Sequence, residues 1–151
     1  MRHASLDATV PCPVARTLEI VGEWWSLLIV RDALLGARRF DEFKRTGISD
    51  NVLSARLTAL TQAHVFKRVR YQTRPDRFEY VLTEKGRSLA PVVLALRAWG
   101  QRWTKGADNS NIAHQGCGGN LTLALECESC GKIDALSNDD RGQSPEAVLA
   151  S

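Results

Sequence analysis

The sequence predicts a mainly α-helical protein with one β-hairpin, an α+β fold followed by a small tail. Two observations support this class. Apolar residues recur at helical spacing before residue 65 and again after residue 88. Residues 66–82 instead alternate apolar and polar side chains on both sides of a Pro-Asp turn, which is typical of a hairpin. A domain over residues 1–106 is therefore expected, then a hairpin tail over residues 107–151 with three of the four cysteines.

The first two helices are predicted over Pro13–Gly22 and Glu23–Leu35. Proline at the first helical position and glycine just after the last are both common at helix ends. The second helix is apolar over much of its circumference, with Trp24 and Leu35 included. A helix with this pattern is expected to lie in the centre of a core.

Two further helices are predicted on either side of Gly47. The first covers Arg39–Thr46, with Phe40 directed inward. The second begins after Ser49, whose hydroxyl is expected to cap it, and continues to about His64. The apolar face of this fourth helix consists of three leucines at steps of four and three, Leu53, Leu57 and Leu60.

The hairpin is predicted from the strands Phe66–Gln72 and Phe78–Leu82. Thr83 follows and is expected to cap one long helix that continues to about Thr104. Beyond a polar linker, the strand Leu121–Glu126 is predicted to form the hairpin of the tail.

Charge is distributed unevenly along the chain. Residues 1–106 carry 18 Lys and Arg against 10 Asp and Glu, a net of +8, whereas residues 107–151 carry 2 against 7, a net of −5. A basic body favours a polyanionic partner. The N-terminus lacks the apolar core of a signal peptide and no apolar run is long enough to span a bilayer, so a cytoplasmic location is expected.

The predicted order is a helix, a glycine turn, a second helix and a basic hairpin. This order is typical of a winged helix-turn-helix and predicts DNA binding. A helix can enter the major groove when the side chains on its outer face are short and polar. Lys and Arg residues beside the helix then bind the phosphates. The predicted contacts are Arg39, Ser49, Asn51, Ser54, Ala55, Arg56, Thr58, Gln62, Lys67, Arg68, Arg70, Arg74 and Arg77. Basic hairpins are also common as solvated sheet edges, where their charge discourages pairing with other strands. The hairpin alone therefore does not establish DNA binding.

The chain resembles HxlR-type transcriptional regulators, a bacterial branch of the MarR-like winged-helix proteins, over roughly residues 12–104. The resemblance rests on Cys12-Pro13, Thr17 to Gly22, Trp25, Leu28 to Arg31, Arg39-Phe40, Gly47-Ile48-Ser49, the three leucines, Arg68-Val69, Pro75, Glu79-Tyr80 and Leu82 to Gly86. The family usually has glycine at the end of the recognition helix, where this chain has Ala63-His64, and this departure bears on where the helix ends. The resemblance implies a homodimer that binds a partly palindromic operator, often beside its own gene.

A dimer is also expected on physical grounds. The apolar stripe from Leu89 to Trp103 is long for one small domain to bury alone. Together with Val14, Leu18 and Val21 it is expected to serve both the core and a two-fold interface. The four tryptophans are expected to be core, and an effector pocket, if the protein has one, would lie near them between the dimer helices.

Cys12 precedes Pro13 at a helix start, where the helix dipole and the Arg16 cation would favour the thiolate. In several HxlR-type regulators a cysteine at this Cys-Pro position senses oxidants or electrophiles, so the resemblance implies that Cys12 is a redox-sensing candidate. The alternative is a small residue beneath the dimer interface with no switching role.

The tail contains the pattern His114-x2-Cys117-x9-Cys127-x2-Cys130, which predicts a zinc site. Two short ligand pairs, each with glycine after a cysteine, are typical of a small zinc ribbon, although the interval between the pairs is shorter than usual. The alternatives are a metal-free hairpin with buried thiols and a reversible disulfide between the last two cysteines.

Two other functions are open from the sequence. The first is a winged-helix module that binds protein instead of DNA. The second is a thiol oxidoreductase that uses Cys127 and Cys130, but such enzymes begin a helix at the cysteine pair, and here Gly131 follows. No nucleophile and base set, phosphate loop or carboxylate pair is present in the sequence, so we do not expect an enzyme.

Overall fold

Helices dominate the first part of the computed structural model, which describes residues 12–44, 47–106, 112, 114, 116–129 and 131–133. The chain divides into two units, Met1–Arg97 and Ala98–Ser151. The predicted division after residue 106 stays a prediction. In chain order the elements are α1 Pro13–Val21, α2 Trp24–Leu34, α3 Phe40–Phe43, α4 Asp50–Gln62, β1 Phe66–Thr73, β2 Asp76–Leu82, α5 Glu84–Arg87, α6 Ala90–Trp103, β3 Leu125–Cys127 and β4 Gly131–Ile133.

The core of the first unit centres on the leucine face of α4. Leu53, Leu57 and Leu60 are each at most 1% exposed, as predicted from their spacing. Phe43 of α3 and Phe66 of β1 are also fully buried. Their rings meet edge to face with centroids 6.3 Å apart, a favourable aromatic arrangement that ties the hairpin to the helices.

The expectation that α2 lies in the centre of the core holds for the middle of the helix and not for its ends. Trp24 is 76% exposed and Leu35, just after the helix, is 64% exposed. The buried residues of α2 are Ser26, Ile29 and Val30. Neighbouring elements cover one stripe in the middle of the helix, so apolar side chains at its ends face solvent within this chain.

The turn between α3 and α4 depends on Gly47, which has a φ of +81° that other residues rarely adopt. Ser49 occupies the N-cap position, and its carbonyl accepts a hydrogen bond from the Leu53 amide at 2.9 Å. Its hydroxyl makes no capping hydrogen bond, which corrects the prediction. Asp50 instead places a carboxylate in the first turn, where the helix dipole favours negative charge, and it pairs with Lys44 at 2.8 Å.

The end of α4 follows the pattern of a glycine-capped helix although no glycine is present. His64 has a φ of +58°, the left-handed conformation usually taken by glycine after a helix. The amide of His64 donates to the carbonyl of Thr61 at 3.0 Å, and that of Val65 donates to Leu60 at 2.9 Å. The helix therefore ends at Gln62, slightly before the predicted end.

The hairpin of β1 and β2, called the wing from here on, is antiparallel from Phe66 opposite Leu82 to Thr73 opposite Asp76. The register shifts after Arg70, so Tyr71 has no partner in the pairing. Both strands extend further toward the turn than predicted. The segment just before α3 is hydrogen-bonded to the wing, because the Tyr80 amide donates to the Arg38 carbonyl at 2.7 Å.

The single helix predicted after the wing is divided into α5 and α6. Thr83 caps α5 as predicted, with its hydroxyl oxygen accepting from the Gly86 amide at 3.1 Å. Pro91 lacks an amide hydrogen and its ring conflicts with the carbonyl four residues earlier, so the chain turns before α6 begins. Gly86 is buried against the Val65 carbonyl, and a Cβ there would collide with it.

The apolar stripe of α6 separates into two faces. Leu89, just before the helix, and Val93 pack against the core. Another row is exposed at steps of four, three and four, which places its members on one side of the helix. This row consists of Val92, Leu96, Trp99 and Trp103. On α1, Val21 is buried while Val14 and Leu18 are exposed, so the expectation that the tryptophans and these residues are core holds only in part.

The described part of the second unit contains a short antiparallel hairpin, in which Leu125 lies opposite Ile133. The strand predicted over Leu121–Glu126 begins later, at Leu125, because the Leu121 amide bonds to the Ile112 carbonyl instead, at 2.8 Å. Among the described residues, no helix is both long enough and apolar enough to cross a membrane.

Candidate nucleic-acid interface

The outer face of α4 is exposed, uncharged and made of short side chains over most of its length. It presents the predicted base contacts Asn51, Ser54, Ala55, Thr58 and Gln62, all of them exposed. The Thr58 hydroxyl donates to the Ser54 carbonyl at 2.8 Å, which fixes its orientation and leaves its oxygen free to accept. Because the opposite face is fixed in the core, this surface is presented as a rigid edge.

Arg56 differs from the other predicted contacts on α4. Its side chain is directed toward Glu23, just before α2, with 3.8 Å between the guanidinium and the carboxylate. Sequence spacing alone could not reveal this pairing, because the two residues are far apart in the chain and meet only after folding.

The wing carries the charge that α4 lacks. Lys67, Arg74 and Arg77 are exposed, and within the described part of the chain their side chains make no hydrogen bond or ion pair. Arg70 is 3.5 Å from Asp76 across the turn, in a pair that is half exposed on both sides. Three cations of the wing are therefore available to an anionic partner without first leaving a carboxylate.

The two remaining predicted cations stack on aromatic rings. The Arg39 guanidinium lies 4.5 Å from the centre of the Tyr71 ring, and its Nε donates to Glu79 at 3.2 Å. The Arg68 guanidinium lies 3.5 Å from the centre of the Phe78 ring. Contacts of this kind orient a guanidinium plane. Neither ring was predicted to belong to the site, although aromatic residues interleaved with arginine along the strands were a usable signal.

Lys44 and Asp50 form an ion pair across the turn that joins α3 to α4. A side-chain hydrogen bond to Asp50 is the main cause that raises the pKa of Lys44 above its ordinary value of 10.5. The ammonium group of Lys44 therefore lies against the first residue of α4, 2.8 Å from the Asp50 carboxylate.

Comparison with known proteins identifies the family to which this geometry belongs. A family model described as HxlR-like helix-turn-helix matches residues 20–108, more than half of the chain. The chain belongs to the HxlR-like helix-turn-helix family. It is therefore a DNA-binding transcriptional regulator of the HxlR type, as the sequence predicted.

Individual relatives agree with this HxlR-type assignment. An HTH-type transcriptional regulator of Mycobacterium tuberculosis is 41% identical over 143 residues, which cover 91% of this chain and 90% of the relative. The crystal structure of PA1607, described as a transcription factor, has a TM-score of 0.73 and 34% identity and covers 87% of this chain and 97% of its own. The oxidised form of the redox regulator HypR has a TM-score of 0.56 and 35% identity over 60% of this chain and 96% of its own.

Cys12 of this HxlR-type regulator lies at the N-cap position of α1, directly before Pro13, and is half-buried. Its carbonyl accepts a hydrogen bond from the Arg16 amide at 3.1 Å. The Arg16 guanidinium, expected to favour the thiolate, forms an ion pair with Glu19 at 3.2 Å. Its charge is therefore shared with a carboxylate one turn further along the helix.

The structure brings together two of the four predicted zinc ligands. His114 Nδ1 lies 3.4 Å from Cys117 Sγ, with both side chains exposed. Cys127 is half-buried, and Cys130 lies outside the described residues. Among the residues that are described, no group of three or more metal ligands is found. Zinc binding stays a prediction, which metal analysis of protein purified without chelator tests, and a stoichiometry near zero contradicts it.

Proposed function

We propose that this regulator binds a partly palindromic operator as a homodimer, with α4 in the major groove and the wing on the flanking backbone and minor groove. The observation that carries the proposal is the pairing of two surfaces. One is an exposed, short, polar helix face fixed to the core, and the other is a hairpin whose cations have few carboxylate partners.

On α4, each end of the exposed face offers a carboxamide. The amides of Asn51 and Gln62 can form paired hydrogen bonds to adenine, and the methyl group of Ala55 can contact that of thymine. Ser54 and Thr58 can donate to or accept from several bases. A helix with this face discriminates between base pairs without contributing much charge.

On the wing, the strength of each phosphate contact depends on whether the cation must first break an intramolecular ion pair. Within the described residues, Arg74, Arg77 and Lys67 lose no hydrogen bond or ion pair when they bind phosphate. Arg70 must leave Asp76, and Arg39 must leave Glu79, so each is expected to contribute less. Cations that displace counterions from DNA give a steep dependence of affinity on salt.

Exposed apolar surface supports the homodimer. Val14 and Leu18 on α1 are 67% and 51% exposed, and the row on α6 ends in Trp99 and Trp103 at 61% and 64%. Apolar surface of this kind is typical of an interface. Sedimentation that gives only monomer at micromolar concentration would overturn this part of the proposal.

We also propose that Cys12 makes operator binding sensitive to oxidants. This proposal is supported by the place of this half-buried thiol at the start of α1 and by the similarity to the redox regulator HypR. We expect diamide to weaken operator binding by the wild type and to leave Cys12→Ser unaffected. A triple Cys117, Cys127 and Cys130→Ser variant is the matched control and should respond as the wild type does. Equal responses by wild type and Cys12→Ser would contradict the sensor role.

The experiment that tests the DNA proposal is a footprint on the DNA upstream of the protein's own gene, followed by gel shifts over a range of salt. We expect two protected half-sites about one helical turn apart and an affinity that falls steeply with salt. A module that binds protein instead of DNA would give no footprint and no salt-dependent shift.

A further inference from the structure

The chain just after α4 is held by a segment that follows the wing in sequence. Helix C-termini leave carbonyl groups without partners inside the helix, so donors must come from elsewhere. The Lys85 ammonium donates to the Ala63 carbonyl at 2.9 Å, and the Thr83 hydroxyl donates to the His64 carbonyl at 2.7 Å. The Thr83 amide donates to the Val65 carbonyl at 3.1 Å. Three successive carbonyls are therefore bound by two residues from beyond the wing.

Gly86 allows this segment to come close enough for those contacts. It is buried, and a Cβ at this position would overlap the Val65 carbonyl oxygen. The Thr83 hydroxyl also accepts from the Gly86 amide at 3.1 Å, so the same oxygen caps α5 and bonds to the end of α4. The start of α5 and the end of α4 are thus joined at one place. We call this place the clamp, and it consists of Thr83, Lys85 and Gly86.

Lys85 is the exposed, cationic member of the clamp. Its ammonium lies at the C-terminal end of α4, where the helix dipole favours positive charge. The chain at that end also has an unfavourable backbone, because His64 has a φ of +58° and is not glycine. A residue with a side chain keeps this conformation only when surrounding contacts offset its cost. Lys85 and Thr83 supply such contacts on either side of the His64 peptide.

We infer that Lys85 is a positioning residue for DNA recognition and acts through the last turn of α4. Gln62, the last residue of that helix, is proposed to bind adenine, and Lys85 holds the carbonyl of the very next residue. A carboxamide pairs with a base through two hydrogen bonds, which require the correct distance and plane. A small shift of the helix end is enough to lose both. The inference rests on the proposed base contact of Gln62, whereas the clamp itself does not.

Direct binding of phosphate is the other role open to an exposed lysine, and it predicts a different response. Loss of a phosphate contact weakens binding to operator and to random DNA alike, and it reduces the slope of log affinity against log salt by about one. Loss of a positioning residue weakens operator binding alone and leaves the slope unchanged. The ammonium of Lys85 already donates to a carbonyl at the end of α4, which favours the positioning role.

The test uses the full chain and measures affinity for operator and for random DNA of equal length over a range of salt. Lys85→Met keeps the aliphatic stem and removes the ammonium. We expect it to lower the ratio of the two affinities by about tenfold, as Gln62→Ala does, with an unchanged salt slope. In the Gln62→Ala background it should lower the ratio no further, because both changes remove the same contact.

Two further variants serve as controls. Lys85→Arg still donates to a carbonyl and should keep most of the ratio. Lys105→Met removes the same charge from a residue that makes no hydrogen bond or ion pair within the described residues, and it should leave the ratio unchanged. Urea unfolding shows whether each variant is folded. Amide hydrogen exchange without DNA reports on the clamp directly, and the amides of His64 and Val65 should exchange faster in Lys85→Met.

Three results would overturn the positioning role: a ratio that Gln62→Ala lowers and Lys85→Met does not, a salt slope reduced by about one in Lys85→Met, or additive effects of the two substitutions. If neither substitution changes the ratio, the base contact proposed for Gln62 is wrong and the positioning role falls with it. A wild type without preference for the operator would refute the proposed function, and faster exchange in Lys85→Met would then show a clamp that has no part in recognition.

Discussion

The two surfaces proposed to contact DNA, α4 and the wing, are held in place by opposite means. The inner face of α4 is locked by three leucines that are at most 1% exposed. The wing is buried only at its base, by Phe66 and Leu82, and its outer half is exposed. The difference matches what each surface is proposed to do, since base recognition requires fixed geometry whereas phosphate binding requires mainly charge.

The two surfaces also differ in charge. The exposed face of α4 is mostly neutral, and its one nearby acid, Asp50, is paired with Lys44. The wing has five cations, and only Arg70 has a carboxylate partner on the wing. Specificity is thus expected to reside in α4 and salt-dependent affinity in the wing.

The largest expected effect comes from breaking the anchor of α4. Leu57→Ala should lower the free energy of unfolding by about 2–5 kcal/mol, because it leaves a cavity in a fully buried site. Val69→Ala on the wing, where the side chain is 41% exposed, should cost less than about 1 kcal/mol. Urea unfolding of both variants measures the contrast, and equal losses would mean that the wing is anchored as firmly as α4.

The next effect separates charge from base recognition. Removing both Arg74 and Arg77 by alanine substitution should reduce the slope of log affinity against log salt by about two, one for each phosphate contact. Arg102→Ala with Lys105→Ala removes the same charge from the C-terminal end of α6 and is the control. Fluorescence anisotropy gives both slopes, and an equal reduction in the two variants would show that only net charge matters.

A smaller effect is expected from a single amide on α4. Asn51→Ala should weaken operator binding by about 1–3 kcal/mol, because a paired contact to one base is lost, and it should leave the salt slope unchanged. Val52→Ala is a suitable control, since Val52 is exposed on the same helix and is not among the predicted DNA contacts. Binding to a set of operator variants would reveal relaxed preference at one base pair, and unchanged preference would exclude Asn51 from base recognition.

The smallest effect concerns the pair that joins α3 to α4. Asp50 raises the pKa of Lys44, so the pair stabilises the folded state at neutral pH and fully up to a pH of about 10.5. On the alkaline side that contribution is lost as the pH rises through the higher pKa of Lys44 in the folded protein. Asp50→Asn should bring the pKa of Lys44 back toward 10.5 in an NMR titration, and no change would mean that the pair does not persist in solution.

The sequence was sufficient to predict elements whose signals are local. The leucine spacing of α4, the proline at the start of α1 and the Thr83 cap were confirmed because each depends on neighbours a few residues away. Features that depend on tertiary packing were missed. The exposed ends of α2 and the division before α6 follow from which neighbours cover a helix and from one proline whose effect was overlooked.

The candidate site shows the same division. Its residue types and their order along the chain were predictable, and the HxlR-type family is confirmed. The partners of the cations were not predictable, because Arg56 and Glu23, or Arg39 and Glu79, meet only after folding. These partners decide which cations are available to an anionic partner.

One ratio distinguishes whether α4 supplies specificity while the wing supplies affinity. It is the affinity for the operator divided by that for random DNA of equal length, measured at one salt concentration. We expect that Arg74→Ala with Arg77→Ala weakens both affinities and preserves the ratio, whereas Asn51→Ala lowers the ratio by about tenfold or more. A ratio that collapses in the wing variant and survives in the α4 variant would contradict it.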